Sequence, residues 1–238
     1  MGVRINKYLA DAGVASRREA DRLVEAGVVS INGMVAQNAM RVEDGDLVCV
    51  RGRKVTLIEE KHVVAYYKPV GVTCTQKDKH ATLTIEDAVQ YPVKLNYAGR
   101  LDRESEGLLI LTNDGALIEK MMRAAYGHEK EYIVRTDKKI TDGFMREMQQ
   151  GVWLPELEVK TRPCIAEQIG EYTFRIILTQ GLNRQIRRMC KEFGYQVKKL
   201  KRIRVMNIEL GKMNPGELRR LTGEELKLLY EIAEKKER

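Results

Sequence analysis

Three short stretches concentrate the residue types that can do chemistry. The first, Gly99-Arg100-Leu101-Asp102-Arg103-Glu104-Ser105-Glu106-Gly107, is charged, bounded by glycines, and runs straight into the apolar segment Leu108 to Leu111. A loop at the mouth of a buried strand is where scaffolds commonly hold reactive groups. Asp102 lies between two arginines, and positive neighbours keep a carboxylate ionised, the state a nucleophile or a base requires. An isolated aspartate in a turn is more often structural. The second stretch, Lys130-Glu131-Tyr132, opens a predicted strand. Tyr132 there suits core packing with its hydroxyl at water, or a stacking surface for a base. The third is Gln180-Gly181-Leu182-Asn183-Arg184-Gln185-Ile186-Arg187-Arg188-Met189-Cys190. Asn183 is placed to cap a helix. Ile186, Met189, Cys190 and Phe193 recur as a buried stripe, and Arg184, Arg187, Arg188 and Lys191 repeat that spacing on another face. Such a helix suits phosphate binding, and one arginine near its start suits pairing with a carboxylate.

Other chemistries find no support. His62, His80 and His128 are not at metal-ligand spacing. Phosphate-loop, dinucleotide-binding and nucleophile-elbow motifs are missing from the sequence. An enzyme of this composition is expected to need no metal and no cofactor. Cys49, Cys74, Cys164 and Cys190 form no Cys-x-x-Cys pair and no signal peptide is evident, so reduced thiols and a cytoplasmic location are expected. No apolar run approaches the roughly 18 residues of a membrane span, and no membrane partner is expected.

The elements that must position these stretches fall into two parts. Ile5, Tyr8, Leu9 and Ala12 predict a helix that ends at Gly13, and Ser16 with Glu19 predicts a capping box opening a second helix that closes at Gly27. Val28 to Ile31 leads into the Asn32-Gly33 turn, and Gly45 precedes a strand at 47–50. A charged linker, Glu59-Glu60-Lys61, separates residues 1–60 from residues 61–238. In the second part strands are predicted at 63–68, 107–112, 131–136, 162–169 and 172–179. Helices are predicted at 84–90, 114–124, 141–150 and 183–193, with a last one after Thr222 capped through Glu225. Adjacent strands without intervening helices indicate an α+β fold with much antiparallel pairing.

With 43% hydrophobic residues in 238, the chain can build a true core. The net charge is +8, and between Asn183 and Arg204 nine basic residues face the single acid Glu192. The rest of the chain is therefore close to neutral. A localised basic field points to a nucleic acid before a membrane, although a solvated basic surface has the same composition.

In this order the Gly-Arg-Leu-Asp loop, the Lys-Glu-Tyr strand and the Asn-Arg-Gln-Ile-Arg-Arg helix resemble the three motifs of pseudouridine synthases, in the branch that modifies ribosomal RNA at single sites. Lys68-Pro69-Val70-Gly71 resembles that branch's opening strand and turn. The N-terminal part resembles the RNA-binding domain named after small-subunit ribosomal protein four. The likeness extends from residue 4 to about residue 230. Within the branch, His128 to Tyr132, Gln180 to Asn183, Phe193-Gly194-Tyr195 and Arg204 to Asn207 are similar to the F-type large-subunit members.

The resemblance implies a small α/β RNA-binding domain followed by a catalytic domain with a mixed, largely antiparallel sheet. It implies isomerisation of a uridine in ribosomal RNA, 23S before 16S, by a monomer. Asp102 would act at the sugar, Tyr132 would stack on the flipped uracil, and Arg187 would pair with Asp102. RNA would be held by Arg100, Leu101, Arg103, Arg184, Gln185, Ile186 and Arg188, with Ile186 chiefly core, and by Arg17, Arg18 and Arg22 on the second helix. A ribosome assembly factor without activity would use the same basic surfaces, but it has no need of Asp102, Tyr132 and Arg187 together.

Overall fold

The computed structural model describes residues 2–58, 60–75, 83–123 and 126–234; His80, Glu59 of the linker and the last four residues lie outside them. The chain divides into two compact units, Met1–His62 with Tyr91–Leu95 and Asn113–Gly115, and the remainder.

The first unit runs β1 (Val3–Arg4), α1 (Ile5–Asp11), α2 (Arg17–Glu25), β2 (Val29–Ile31), β3 (Met34–Val35), β4 (Arg41–Val42), β5 (Val48–Val50) and β6 (Arg53–Lys54). Ser16 Oγ accepts from Glu19 N at 3.3 Å, fixing the start of α2. Asn32 and Gly33 take φ of 50° and 82° between paired Ile31 and Met34, the two-residue turn that suits the twist of a hairpin. Strands β3, β2, β5 and β6 form one antiparallel sheet. Ile5 and Leu9 of α1, and Ala20 and Val24 of α2, join Val29 and Val48 in the core of this unit.

The second unit runs β7 (Val63–Lys68), α3 (Ile85–Ala88), β8 (Asn96–Ala98), β9 (Glu106–Thr112), α4 (Gly115–Met122), β10 (Lys130–Thr136) and α5 (Asp142–Gln149). Then come β11 (Trp153–Leu154), β12 (Val159–Lys160), β13 (Ile165–Gly170), β14 (Thr173–Leu178), α6 (Gln185–Glu192), β15 (Val197–Val205), β16 (Ile208–Glu209), β17 (Leu218–Arg220) and α7 (Gly223–Glu234). The main sheet has the order β13-β14-β10-β15-β9-β7-β17, with β16 beside β15 and β8 beside β9. Its pairings are antiparallel except for β9 with β15. The unit is thus α+β with a mixed, largely antiparallel sheet. Phe144, Phe174, Met189 and Leu200 belong to a core on one side of the parallel pair, and Val63, Leu108, Leu117 and Leu229 to a second core on the other. Among the described residues no helix is long and apolar enough to cross a membrane.

Three sequence expectations need correction. The helix expected at 84–90 is a single turn, Ile85–Ala88, held by a Thr84–Asp87 capping box. The helix expected at 183–193 starts only at Gln185. Arg184, not Asn183, occupies its cap position, with φ 50° and ψ 34° and no side-chain cap. The longest strand of the sheet, β15, was not expected, because five of its nine residues are Lys or Arg and blur the alternation of a half-buried strand.

Candidate active site

The parallel pair is where the site forms. Its register sets Gly107 of β9 against Arg202 of β15. Lys68 pairs with Gly107 on the β7 side, and Tyr132 of β10 pairs with Arg202 on the other. Lys68, Gly107, Arg202 and Tyr132 therefore stand in one row across four strands, and paired positions share a face of the sheet. Gly107 has φ +110°, and a Cβ there would lie 2.2 Å from the Arg202 carbonyl oxygen. Only glycine admits this approach.

The loop before β9 is pinned above this row. Leu101 is buried. Ser105 N donates to Asp102 O at 3.0 Å, and Gly71 N donates to Arg103 O at 2.8 Å. The loop borders a cavity of about 630 Å³, whose wall includes Asp102, Tyr132, Lys130, Arg184 and Arg202. The side chain of Asp102 is about a third exposed, at 29%.

Two arginines flank the Asp102 carboxylate. Arg187 Nε lies 3.8 Å from Oδ2, and Arg184 Nη1 lies 3.7 Å from the same oxygen. They differ in setting. Arg187 is 14% exposed and donates to Val197 O at 3.2 Å and Ser105 Oγ at 3.3 Å. Its buried Nε has no hydrogen-bond partner among the described residues and faces Asp102 as a charge. Arg184 is 41% exposed, borders the cavity, and donates to Glu104 Oε2 at 3.1 Å. That hydrogen bond and charge hold the Glu104 carboxyl below its ordinary value. Arg184 departs from the helical stripe because its left-handed backbone places it outside α6.

The Lys-Glu-Tyr stretch divides between the faces of the sheet. Lys130 and Tyr132 border the cavity. Glu131 lies on the other face and accepts from Arg204 Nε at 2.7 Å and from Arg175 Nε at 2.5 Å. Burial works against the charge of Glu131, but these two donors outweigh it and leave the carboxyl below its ordinary value. Burial lowers the Lys130 ammonium to about 8, with the Arg202 charge adding to the effect, and its Nζ donates to His128 O at 3.0 Å. Lys68 is fully buried. Burial lowers it to about 8 as well, against the opposing pull of Asp102 and Glu106 among its neighbours.

The remaining expected site residues separate into three groups. Arg100 and Arg103 are exposed at the cavity rim. Leu101, Gln185 and Ile186 are buried in its wall. Gln185 Oε1 accepts from Leu182 N at 3.0 Å, so its amide shapes the loop rather than reaching outward. Arg188 does not border the cavity: it donates to Asn183 O at 3.0 Å and forms an ion pair with Glu156, which Lys191 Nζ also meets at 2.8 Å. Arg17, Arg18 and Arg22 are exposed on α2, and Arg22 pairs with Glu19 at 3.3 Å. Sequence reasoning gave Lys130 and Arg202 no role in the site. The two-residue spacing of Lys130 from Tyr132 was a usable signal; Arg202 had none, because its strand was not legible.

Residues 62–192 match the family described as RNA pseudouridylate synthase, and residues 3–48 match the S4 domain. The chain is 46% identical over 234 residues to the dual-specificity RNA pseudouridine synthase RluF of Escherichia coli (strain K12), covering 98% of this chain and 80% of that one. It is 36% identical over 239 residues to the ribosomal large subunit pseudouridine synthase B of Bacillus subtilis (strain 168), covering 97% of each. A crystal structure of a pseudouridylate synthase superposes with a TM-score of 0.71 at 26% identity, over 95% of this chain and 99% of that one.

Proposed function

The chain belongs to the RNA pseudouridylate synthase family, and from that premise we propose that it isomerises a uridine of large-subunit (23S) ribosomal RNA with Asp102 as the reacting carboxylate. It is an enzyme, an RNA pseudouridine synthase, and its N-terminal part carries an S4 domain. In the reaction the bond from uracil N1 to ribose C1′ breaks, the base turns, and C5 bonds the same carbon. The atoms balance without oxidation or reduction, so the change calls for no cofactor.

The observation that carries the assignment of roles is the convergence on one cavity of a carboxylate backed by two arginines and a tyrosine on β10, two strands across the sheet from β9. Carboxylates serve as nucleophiles or bases at sugar carbons. A uridine must leave its stack to reach a cavity of this kind, and Tyr132 offers the flipped base a stacking face. Arg187, behind the carboxylate, orients it. Arg100, Arg103 and Arg184, at the rim and wall, suit phosphates beside the target. We read residues 1–60 as the RNA-binding domain and 61–238 as the catalytic one. We further read the protein as a cytoplasmic monomer, in keeping with its four unbridged cysteines.

Mapping pseudouridines in both ribosomal RNAs from a deletion strain tests the target. A lost modification in 23S RNA supports the reading, and one lost only in 16S RNA replaces it. Asp102→Asn keeps the shape of the side chain and removes its charge. It should abolish isomerisation in single-turnover assays and leave RNA affinity within about threefold; turnover near the wild-type rate would remove Asp102 from the mechanism.

A further inference from the structure

Arg202 does not belong to the phosphate-facing surface that its basic neighbours suggest. It is 2% exposed. Its Nε donates to Leu108 O at 2.7 Å, and its Nη1 to Arg100 O at 3.5 Å. Two arms of the guanidinium fork are thus tied to β9 and to the backbone of the loop that carries Asp102. Nη2 is buried and has no hydrogen-bond partner among the described residues. Arg202 borders the cavity and is the direct cross-strand partner of Tyr132. A guanidinium is rigid, so fixing two of its nitrogens fixes the direction of the third. A buried, unpartnered donor is costly to keep unless something in the working complex accepts from it.

We propose that Arg202 is a further catalytic residue of the isomerisation, its Nη2–H donating to a carbonyl oxygen of the uracil that stacks on Tyr132. This rests on the functional reading above. A phosphate is a poor alternative partner. An arginine 2% exposed in a cavity wall is reached by a flat base inserted edge-on, whereas a phosphate stays with the backbone at the rim.

The contact strengthens when it is needed. As N1–C1′ breaks, the bonding pair leaves with the uracil and spreads over N1, O2 and O4. The ribose carbon is satisfied by a bond to the Asp102 carboxylate, or by a double bond to C2′ after Asp102 takes the C2′ proton. On either route the free base is an anion. When C5 bonds C1′, the pair is used again and Asp102 is restored, either leaving C1′ as its ester bond breaks or returning the proton to C2′ as the double bond is consumed. C5 then gives up its proton and N1 gains one. A fixed cationic donor at O2 or O4 holds the anion while it turns and interacts more strongly with it than with the bound uridine, as selective stabilisation of the reacting state requires.

The test uses the full chain and an RNA fragment containing the position that the wild-type enzyme modifies. Single-turnover rates at saturating RNA would be measured with uridine, 2-thiouridine or 4-thiouridine at that position, sulfur being the weaker acceptor. For the wild type, one of the two thio substitutions should slow the reaction roughly 10- to 100-fold, the range of a charge-assisted hydrogen bond. Arg202→Lys should slow the uridine reaction by a similar factor with Kd for RNA little changed, and should lose sensitivity to that same sulfur. Equal thio effects in variant and wild type would overturn the proposal. Arg202→Lys also weakens the tie to Leu108 O, so unfolding midpoints are measured alongside. If the variant does not fold, the wild-type arm still decides, because insensitivity to both thio substitutions refutes the contact. A wild-type enzyme that modifies no position of ribosomal RNA would instead overturn the functional reading.

Discussion

Replacing Arg187 by alanine should damage chemistry far more than binding, and far more than the same change at Arg184 or Arg188. At 3.8 Å and an effective dielectric constant of about 20, the Arg187–Asp102 interaction is worth about 4 kcal/mol. The Arg184–Asp102 pair, at 3.7 Å, has the same Coulomb value on paper. Arg184 is 41% exposed, however, and water and side-chain entropy reduce an exposed pair to about 1 kcal/mol or less. Arg187, at 14% exposure and anchored on Val197 O and Ser105 Oγ, keeps most of its share. With about 1.4 kcal/mol per decade, Arg187→Ala should lower the single-turnover rate at saturating RNA about 100- to 1,000-fold. Arg184→Ala should lower it less than about tenfold and also weaken RNA binding. Arg188→Ala, which breaks a pair with Glu156 away from the cavity, should leave the rate within about threefold. Rapid-quench assays with each variant, together with Kd at several salt concentrations, measure both quantities. The reasoning fails if Arg187→Ala and Arg184→Ala lose rate equally, or if the Arg187→Ala defect lies in Kd.

Three further outcomes follow from particular contacts. Gly107→Ala forces a Cβ to within 2.2 Å of the Arg202 carbonyl at φ +110°, so denaturant unfolding should show a loss of about 3 kcal/mol or more; a loss under about 1 kcal/mol would mean that the β9–β15 approach is not tight. Lys68 titrates near 8 in the folded chain against 10.5 when unfolded. The unfolded state therefore binds the extra proton between those values, and the penalty of burying Lys68 is full below pH 8 and fades as pH rises through the window. The stability difference between Lys68→Met and wild type should accordingly shift by up to about 3 kcal/mol in favour of wild type from pH 7 to 10.5, and a pH-independent difference would contradict it. Replacing Arg17, Arg18 and Arg22 together by glutamine should weaken RNA binding and flatten its log–log salt dependence by about two units, leaving the rate at saturation unchanged; an unaltered slope would mean that α2 meets no phosphates.

What the sequence made legible was local. Capping signals placed the starts of α2 and α7, with Thr222 N donating to Glu225 Oε2 and Glu225 N to Thr222 Oγ1. A two-residue turn signal placed the first hairpin. The parts set by distant contacts were not legible. Strand β15 reads as a charged surface because Lys198 and Lys199 are solvated, while Arg202 and Arg204 are turned to opposite tasks by partners far away in sequence, Leu108 and Glu131. Likewise, helical spacing puts Arg184, Arg187, Arg188 and Lys191 on one stripe. One left-handed residue and one glutamate, Glu156, separate them into a pair facing Asp102 and a pair facing away.

The three motif stretches lie far apart in the chain and share no local structure, so their convergence depends on sheet register. The row Lys68–Gly107–Arg202–Tyr132 supplies it. A shift of β15 by one residue against β10 would turn Arg202 to the opposite face of the sheet and remove it from the cavity. Glycine at 107 both permits the close parallel pairing and keeps the centre of the row free of a side chain, while the loop entering β9 carries Asp102 to the cavity formed there. The surrounding charges then find their places by burial. Arg202 and Lys130, whose side chains are tied to the backbone at Leu108 of β9 and at His128 just before β10, remain in the wall, while Arg100 and Arg103 lie exposed at the rim. On this view the site is specified as much by the strand pairing that fixes Gly107 against Arg202 as by the aspartate itself. The glycine and the buried arginine should then resist substitution as strongly as the acidic loop does.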